Sequence, residues 1–186
     1  MKKTVLTFGL LMGAVMSAMM VITIVFGDVI GTGHSLVVGY TTMVLAGLLI
    51  YFGVRSYRDN VGGGRVSFGR AFAIGMLIVA VSSVLYVATW ELIRYQLAPG
   101  FTAELERSLE VDAVAKARAK GGTPAEVEAR VAQARKNFEN YRKPVFNAAV
   151  TFVEPLPVGL VLALVSAGIL SRRRREPQGA LVGAAG

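Results

Sequence analysis

The chain reads as an all-α integral membrane protein with four transmembrane helices and an extramembrane helical hairpin between the third and fourth. Three observations predict this. Apolar stretches at about residues 4–26, 35–54, 68–94 and 145–170 are each at least 20 residues long. A helix needs about 20 residues, rising ~1.5 Å each, to cross the ~30 Å hydrocarbon layer. The 54% hydrophobic content and mean hydropathy of +0.55 come in blocks rather than in the short runs of an aqueous core. The segment between the third and fourth stretches, residues 101–143, is polar, charged and Ala-rich.

Lys2 and Lys3 give the first stretch a basic start. A cleaved signal has an apolar core of only about 7–15 residues. This run is longer, and Met16–Ser17–Ala18 in its middle is a poor cleavage site, so a retained first span is expected. Asp28 to His34 reads as a tight connection, with Gly31 and Gly33 supplying turn freedom. The second span runs to about Val54. A short basic loop from Arg55 to Arg65 follows it, with Gly62–Gly63–Gly64 as its turn. That triple glycine lacks the Gly-Lys-Ser/Thr ending of a phosphate-binding loop and follows no strand. The third span opens at Ser67, a candidate N-cap, and Pro99–Gly100 ends it.

In the hairpin, 101–143, Gly121–Gly122 suits a helix C-terminus. Thr123–Pro124–Ala125–Glu126 then spells a capping box with proline at the first helical position. Val127, Val131, Ala134, Phe138 and Tyr141 form one apolar stripe, as do Phe101, Leu105, Leu109 and Ala113 on the first helix. Asp112/Lys116, Glu126/Arg130 and Glu139/Lys143 stand at i,i+4, the spacing of solvated helical ion pairs. The fourth span starts near Pro144 and stops at Arg172–Arg175. Residues 1–175 read as a single membrane domain, and residues 176–186, rich in Gly and Ala, as a disordered tail.

Four spans place both termini on one side. Lys2, Lys3, Arg55, Arg58, Arg65, Arg70 and Arg172–Arg175 fall there, ten basic residues against Asp59 and Glu176. The positive-inside rule then makes the termini cytoplasmic. The hairpin weighs against this with ten Lys and Arg from Arg94 to Lys143, offset by seven acids. The net charge of +8 is read as topology and as contact with anionic headgroups, not as nucleic-acid binding. Arg55, Arg58, Arg65, Arg70, Arg172, Arg173, Arg174 and Arg175 are the expected headgroup contacts.

Gly39–Tyr40, the run Tyr51 to Asp59, Gly63–Gly64–Arg65–Val66–Ser67–Phe68–Gly69–Arg70–Ala71–Phe72 with Gly75, and Phe152 to Leu160 around Glu154–Pro155–Leu156–Pro157 resemble the bacterial membrane family called domain of unknown function 4199. The resemblance covers roughly residues 4–175, and the loop motif carries most of it. It implies a bacterial multi-span membrane protein with a polar insertion before the last helix, and hence an inner-membrane location. Arg70 stands where the family pattern suggests a lysine, which keeps the charge. The family has no established activity, so the resemblance assigns no site residue.

Ionisable residues inside a span are costly and point to function by default. Glu154 lies about 16 residues, or ~24 Å, before the end of the fourth span, with Pro155 and Pro157 behind it. Proline removes backbone donors, so carbonyls near Phe152 and Val153 are expected to be free. That arrangement suits a cation or proton, or else Glu154 simply pairs with a basic residue such as Arg94, or the true helix begins only at Pro155. Glu91 and Arg94 are three apart on the third helix and can pair. Trp90 and Tyr95 beside them read as interfacial aromatics. Glu91 and Glu154 fall at similar depth, where two carboxylates can share a proton. Gly9, Gly13 and Ser17, and Gly39, Met43 and Gly47, line helix faces that allow close packing, or dimerisation.

With no cysteine and one histidine, His34, a thiolate site and a multi-histidine metal site are excluded. No Ser/His/Asp set lies in plausible register. The expectation is a non-enzyme with no cofactor and no metal, whose partners are membrane lipids and a protein partner or a second copy. Its role is expected to be structural or regulatory, engaging a partner through the hairpin. The alternative is a small transporter or channel subunit that uses Glu154.

Overall fold

The computed structural model describes residues 1–30 and 36–171, and the side chains of 1–24 and 37–171. His34, Arg172–Arg175 and the tail 176–186 lie outside the described residues, as do the roles expected of them. Among the described residues seven α-helices follow one another: α1 (Lys2–Ile30), α2 (Leu36–Asn60), α3 (Phe68–Leu92), α4 (Phe101–Ala119), α5 (Pro124–Arg142), α6 (Pro144–Val153) and α7 (Leu156–Leu170). A π-helical turn, Ile93–Leu97, prolongs α3. No strand occurs among the described residues.

Among the described residues four stretches are long and apolar enough to cross a membrane: Lys2–Ile24, Val37–Asn60, Phe68–Leu97 and Pro144–Leu170. Only 22% to 39% of the most apolar window of each is buried inside the protein. The rest of that apolar surface faces outward, which is stable against lipid and not against water. The protein is therefore a membrane protein.

α3 is the central helix, packed against α1, α2, α6 and α7, while α2 closes the ring against α1 and α7. Their shared core holds Met12, Met16, Ile50, Ile74, Ile78, Val79 and Ala163. Close approach comes from glycine. A Cβ on Gly9 would stand 2.7 Å from Val81, and one on Gly13 would stand 3.0 Å from Leu85. The third member of that ridge, Ser17, accepts a hydrogen bond from Thr89 Oγ1 at 2.8 Å. The Gly9–Gly13–Ser17 face is thus consumed by packing on α3. The Gly39–Met43–Gly47 face behaves differently: Gly47 abuts Leu162 of α7, while Gly39 faces open space.

Several boundaries depart from expectation. α1 continues through Gly27 and Asp28 to Ile30, because one glycine costs a helix only about 1 kcal/mol. α2 continues through Arg55 and Arg58 to Asn60, so most of the expected basic loop is helical. Asp59 makes this possible by pairing with Arg58 at 2.7 Å and Arg55 at 3.5 Å. The turn then closes on Gly63 and Gly64, both at positive φ. The Gly62 and Gly64 N–H groups bond to the carbonyls of Tyr57 and Arg58. Those donors are spent, so the triple glycine is a turn and not an anion cradle. Ser67 occupies the N-cap of α3 in extended backbone, yet its hydroxyl makes no capping bond. The fourth span is two helices rather than one. Pro155 and Pro157 lack N–H donors, which leaves the carbonyls of Thr151 and Val153 without their i+4 partners, not those of Phe152 and Val153.

α4 and α5 pack on each other. The expected capping box is present: the Thr123 N–H donates to Glu126 Oε2 at 2.7 Å and the Glu126 N–H to Thr123 Oγ1 at 3.4 Å. On α5 the side chains withdrawn from solvent are Val127, Val131, Ala134, Phe138 and Tyr141, the stripe that the spacing predicts. On α4 the expected stripe is off by a residue. Leu109 is 44% exposed, and the inner face runs through Phe101, Leu105, Glu110, Ala113 and Ala117. Glu110 and Glu106 turn toward α5 because Arg135 and Arg142 meet them there. Of the three i,i+4 pairs, only Asp112–Lys116 forms. Glu126 is taken by the capping box, and Lys143 donates to Asn140 instead.

Candidate functional site

Where the hairpin joins the span bundle, five elements bring polar side chains into a partly buried cluster. Trp90 and Glu91 come from the end of α3 and Arg94 from the π-helical turn. Thr102 opens α4, Tyr141 and Arg142 close α5, and Asn147 belongs to α6. The π turn forms because the Ala98 N–H reaches back to the Ile93 carbonyl at 2.8 Å. Such turns widen a helix locally and often mark functional positions.

Asn147 is fully buried. Its Oδ1 accepts a hydrogen bond from Trp90 Nε1 at 2.5 Å. Trp90 itself is 6% exposed and meets the Phe101 ring edge-on at 5.7 Å. It is therefore an internal bridge and not an interfacial anchor; Tyr95, 54% exposed, keeps the exterior position expected of it. Arg94 Nη2 donates to the Arg142 carbonyl at 2.9 Å, and its guanidinium lies 5.2 Å from the centre of the Tyr95 ring. Arg142 in turn pairs with Glu106 and caps the Phe138 ring at 5.8 Å. These contacts fasten both hairpin helices to α3.

Four polar atoms of this cluster are buried without a hydrogen-bond partner among the described residues: Glu91 Oε1, Arg94 Nη1, Thr102 Oγ1 and Asn147 Nδ2. Buried polar groups are almost always paired, by protein or by ordered water, so each of these atoms calls for a partner such as water. Tyr141 is their electrostatic meeting point. Burial pushes its hydroxyl above the ordinary range, the Asn147 amide opposes this, and Glu154, Arg94 and Glu91 all act on it.

The residues expected to carry chemistry divide accordingly. Glu91 and Arg94 enter the cluster but form no ion pair with each other, since Arg94 turns to the Arg142 carbonyl. Glu154 sits at the break between α6 and α7, exposed at the protein surface. No ion pair reaches it among the described residues, so the expected bond to Arg94 is absent. Glu154 and Glu91 are brought to one neighbourhood only through their shared action on Tyr141. Arg55, Arg65 and Arg70 are exposed at the opposite end of the bundle, while Arg58 is half-buried against Asp59.

Asn147 and Trp90 are the residues that sequence reasoning missed. A signal existed. An amide inside an apolar span must find a partner, because hydrocarbon offers none.

Two cavities accompany the cluster. One, of about 220 Å³, lies among α1, α2, α3 and the start of α4 and is almost wholly apolar. The other is a shallow groove along α5, bordered by Glu128, Arg135, Lys136 and Glu139. Glu154 lines neither. Among the described residues no three His, Cys, Asp or Glu side chains converge as metal ligands.

The hairpin also carries a pH dependence. The Arg135 guanidinium holds the Glu110 carboxyl below its ordinary value of 4.5, and the Thr123 N–H does the same for Glu126. A depressed carboxyl contributes stability above its unfolded value and loses it as pH falls through the folded one. Hydrogen exchange, corrected for intrinsic rates, should therefore quicken in α4 and α5 between about pH 7 and about pH 3 while α3 stays protected. Unchanged hairpin protection at the lower pH would show that these pairs contribute nothing.

A family model described as Protein of unknown function (DUF4199) matches residues 7–172. No curated protein and no solved structure matches the chain.

Proposed function

Because the chain belongs to that family of unknown function, its geometry has to carry the reading, and we propose that it is a structural or regulatory membrane component that engages a protein partner through the α4–α5 hairpin. The observation behind this is the clamp at the hairpin's base. Trp90–Asn147, Arg94–Arg142 and Arg142–Glu106 fix the hairpin's direction relative to the bundle. A directed hairpin presents a defined face. On α5 that face carries Glu128, Lys136 and Glu139, all exposed, along the shallow groove. Mixed charge of this kind gives specificity and steering more than raw affinity.

In this reading the protein sits in a bacterial inner membrane with both termini cytoplasmic and the hairpin on the other side. It carries out no catalysis. A transporter would need Glu154 on a polar cavity among the spans, and Glu154 lines neither the apolar cavity nor the α5 groove.

The test combines topology and partner capture. A reporter active only outside the cytoplasm should work when inserted at Gly121–Gly122 and stay silent when fused after Arg175. Crosslinking in native membranes should concentrate partner crosslinks on Lys136 and its neighbours. The double exchange Lys136→Glu with Glu139→Lys should remove them, and Glu154→Gln should leave them intact. Crosslinks that survive the exchange, or a Glu154→Gln phenotype with crosslinks unaltered, would defeat the proposal.

A further inference from the structure

The apolar cavity has a built asymmetry. Close glycine contacts seal much of the bundle, yet toward the hairpin a cavity opens among α1, α2, α3 and α4. Met16 and Met20 line the gap from α1, Gly39 and Tyr40 from α2, Tyr86 from α3 and Phe101 from the base of α4. A Cβ on Gly39 would meet nothing within 4 Å, so the space in front of it is open. At about 220 Å³ the cavity exceeds the ~150 Å³ at which an apolar hole stays dry and takes up benzene. Methionine side chains adapt to flexible apolar guests. Hydroxyls on its lining belong to Thr23, Tyr40, Thr42 and Tyr86, and Thr42 Oγ1 donates to the Val38 carbonyl at 2.9 Å. Such a cavity asks for hydrocarbon.

It is also continuous with the lipid-facing surface. Tyr40 on its rim is 51% exposed, and Val37 and Val44, one turn away on either side, are 75% and 45% exposed. A cation stands at the correct height above it. Tyr86, Trp90 and Arg94 follow one side of α3 at steps of four, so Arg94 lies about 12 Å beyond Tyr86 at ~1.5 Å per residue. That spacing suits a headgroup at Arg94 and the upper part of a chain at Tyr86, within a hydrocarbon leaflet of roughly 15 Å. Arg94 Nη1 is buried without a partner. Phe101, which walls the cavity, touches Trp90 of the polar cluster.

We propose that this cavity holds one acyl chain of an anionic phospholipid, with Phe101 as its wall and Arg94 as the cation facing the headgroup. The hairpin is then a reader of lipid as well as a presenter of charge, because the wall of the site is the first residue of α4. The assignment goes beyond the hairpin–partner reading and does not depend on it.

The test uses the full chain reconstituted in vesicles containing phosphatidylglycerol that carries a photoreactive diazirine on one acyl chain. After illumination, mass spectrometry maps the adducts. Met16, Met20 and Tyr86 should be labelled at least as strongly as the outward Leu10 and Leu11. Gly39→Leu should cut the cavity adducts several-fold while leaving those on Leu10 and Leu11 unchanged. Gly168→Leu, also facing open space but on α7, should change nothing. A phosphatidylcholine probe should label the cavity several-fold less, and Arg94→Gln should erase that preference. Cavity adducts no stronger than background, adducts insensitive to Gly39→Leu, or equal labelling by the two lipids would each overturn the proposal. Because no partner protein is present, failure here leaves the hairpin reading untouched, and loss of partner crosslinks leaves this result standing.

Discussion

Trp90→Ala is expected to be the most damaging single truncation in the polar cluster. The indole is 6% exposed, bridges α3 to α6 through Asn147, and packs edge-on against Phe101 of α4. Removing a large buried aromatic costs about 3–5 kcal/mol through lost contacts and the cavity left behind. Here a second cost adds to it. Asn147 Oδ1 would lose its donor in a place where Asn147 Nδ2 already lacks a partner, and an orphaned buried acceptor costs about 1–3 kcal/mol. Marginal stability of about 5–15 kcal/mol leaves little after that loss. Thermal unfolding in mild detergent, followed by circular dichroism, should show a large drop in Tm or no folded fraction. Trp90→Phe should fall between, since it keeps a ring against Phe101 and loses only the hydrogen bond. A Trp90→Ala protein that melts like the parent would mean that the hairpin is not clamped at this point.

The same residue shows where reading the sequence stops. A tryptophan at the end of an apolar run, followed by Glu91, Arg94 and Tyr95, has the composition of a membrane interface. Its hydrogen-bond partner stands 57 positions later. Nothing local distinguishes an anchor from a bridge. The opposite case is the capping box at Thr123, whose parts lie within four residues and which forms as the residues predict. The four spans were legible for a similar reason, because span hydropathy is a sum over adjacent residues. The α5 stripe was legible too, while α4 slipped at Leu109 because ion pairs from α5 set its orientation. The Pro155–Pro157 pair was visible as a disturbance. Its consequence, two helices with Glu154 at the break, depends on how each half packs, α6 against α3 and α5 and α7 against α2 and α3. Polarity also misled at the end of α2. Arg55 and Arg58 look like a loop until Asp59 is seen to hold both on a helix.

The second large effect is expected at glycines that let helices touch. A Cβ on Gly159 would stand 2.6 Å from Val79 Cγ2, and one on Gly9 would stand 2.7 Å from Val81 Cβ. Neither obstacle can swing away, because β-branched side chains are stiff at χ1 and Val79 is fully buried. Gly159→Val or Gly9→Val must therefore push α7 or α1 off α3, at about 1–3 kcal/mol for each overpacked site and sometimes more. In lipid that separation is not repaired by the hydrophobic effect, since lipid tails are as apolar as the displaced surface, and close packing with interhelical hydrogen bonds such as Thr89–Ser17 holds the helices together. Gly168 provides the contrast. It faces open space on α7, so Gly168→Leu should be neutral or stabilise by up to about 1 kcal/mol through helix propensity. Folded yield and Tm for these three variants separate two architectures. Loss at Gly9 and Gly159 with tolerance at Gly168 is the result for helices packed within one chain. Loss at Gly168 of equal size would instead place a second copy against α7, and the Gly9 ridge would no longer be the seam on which the bundle depends.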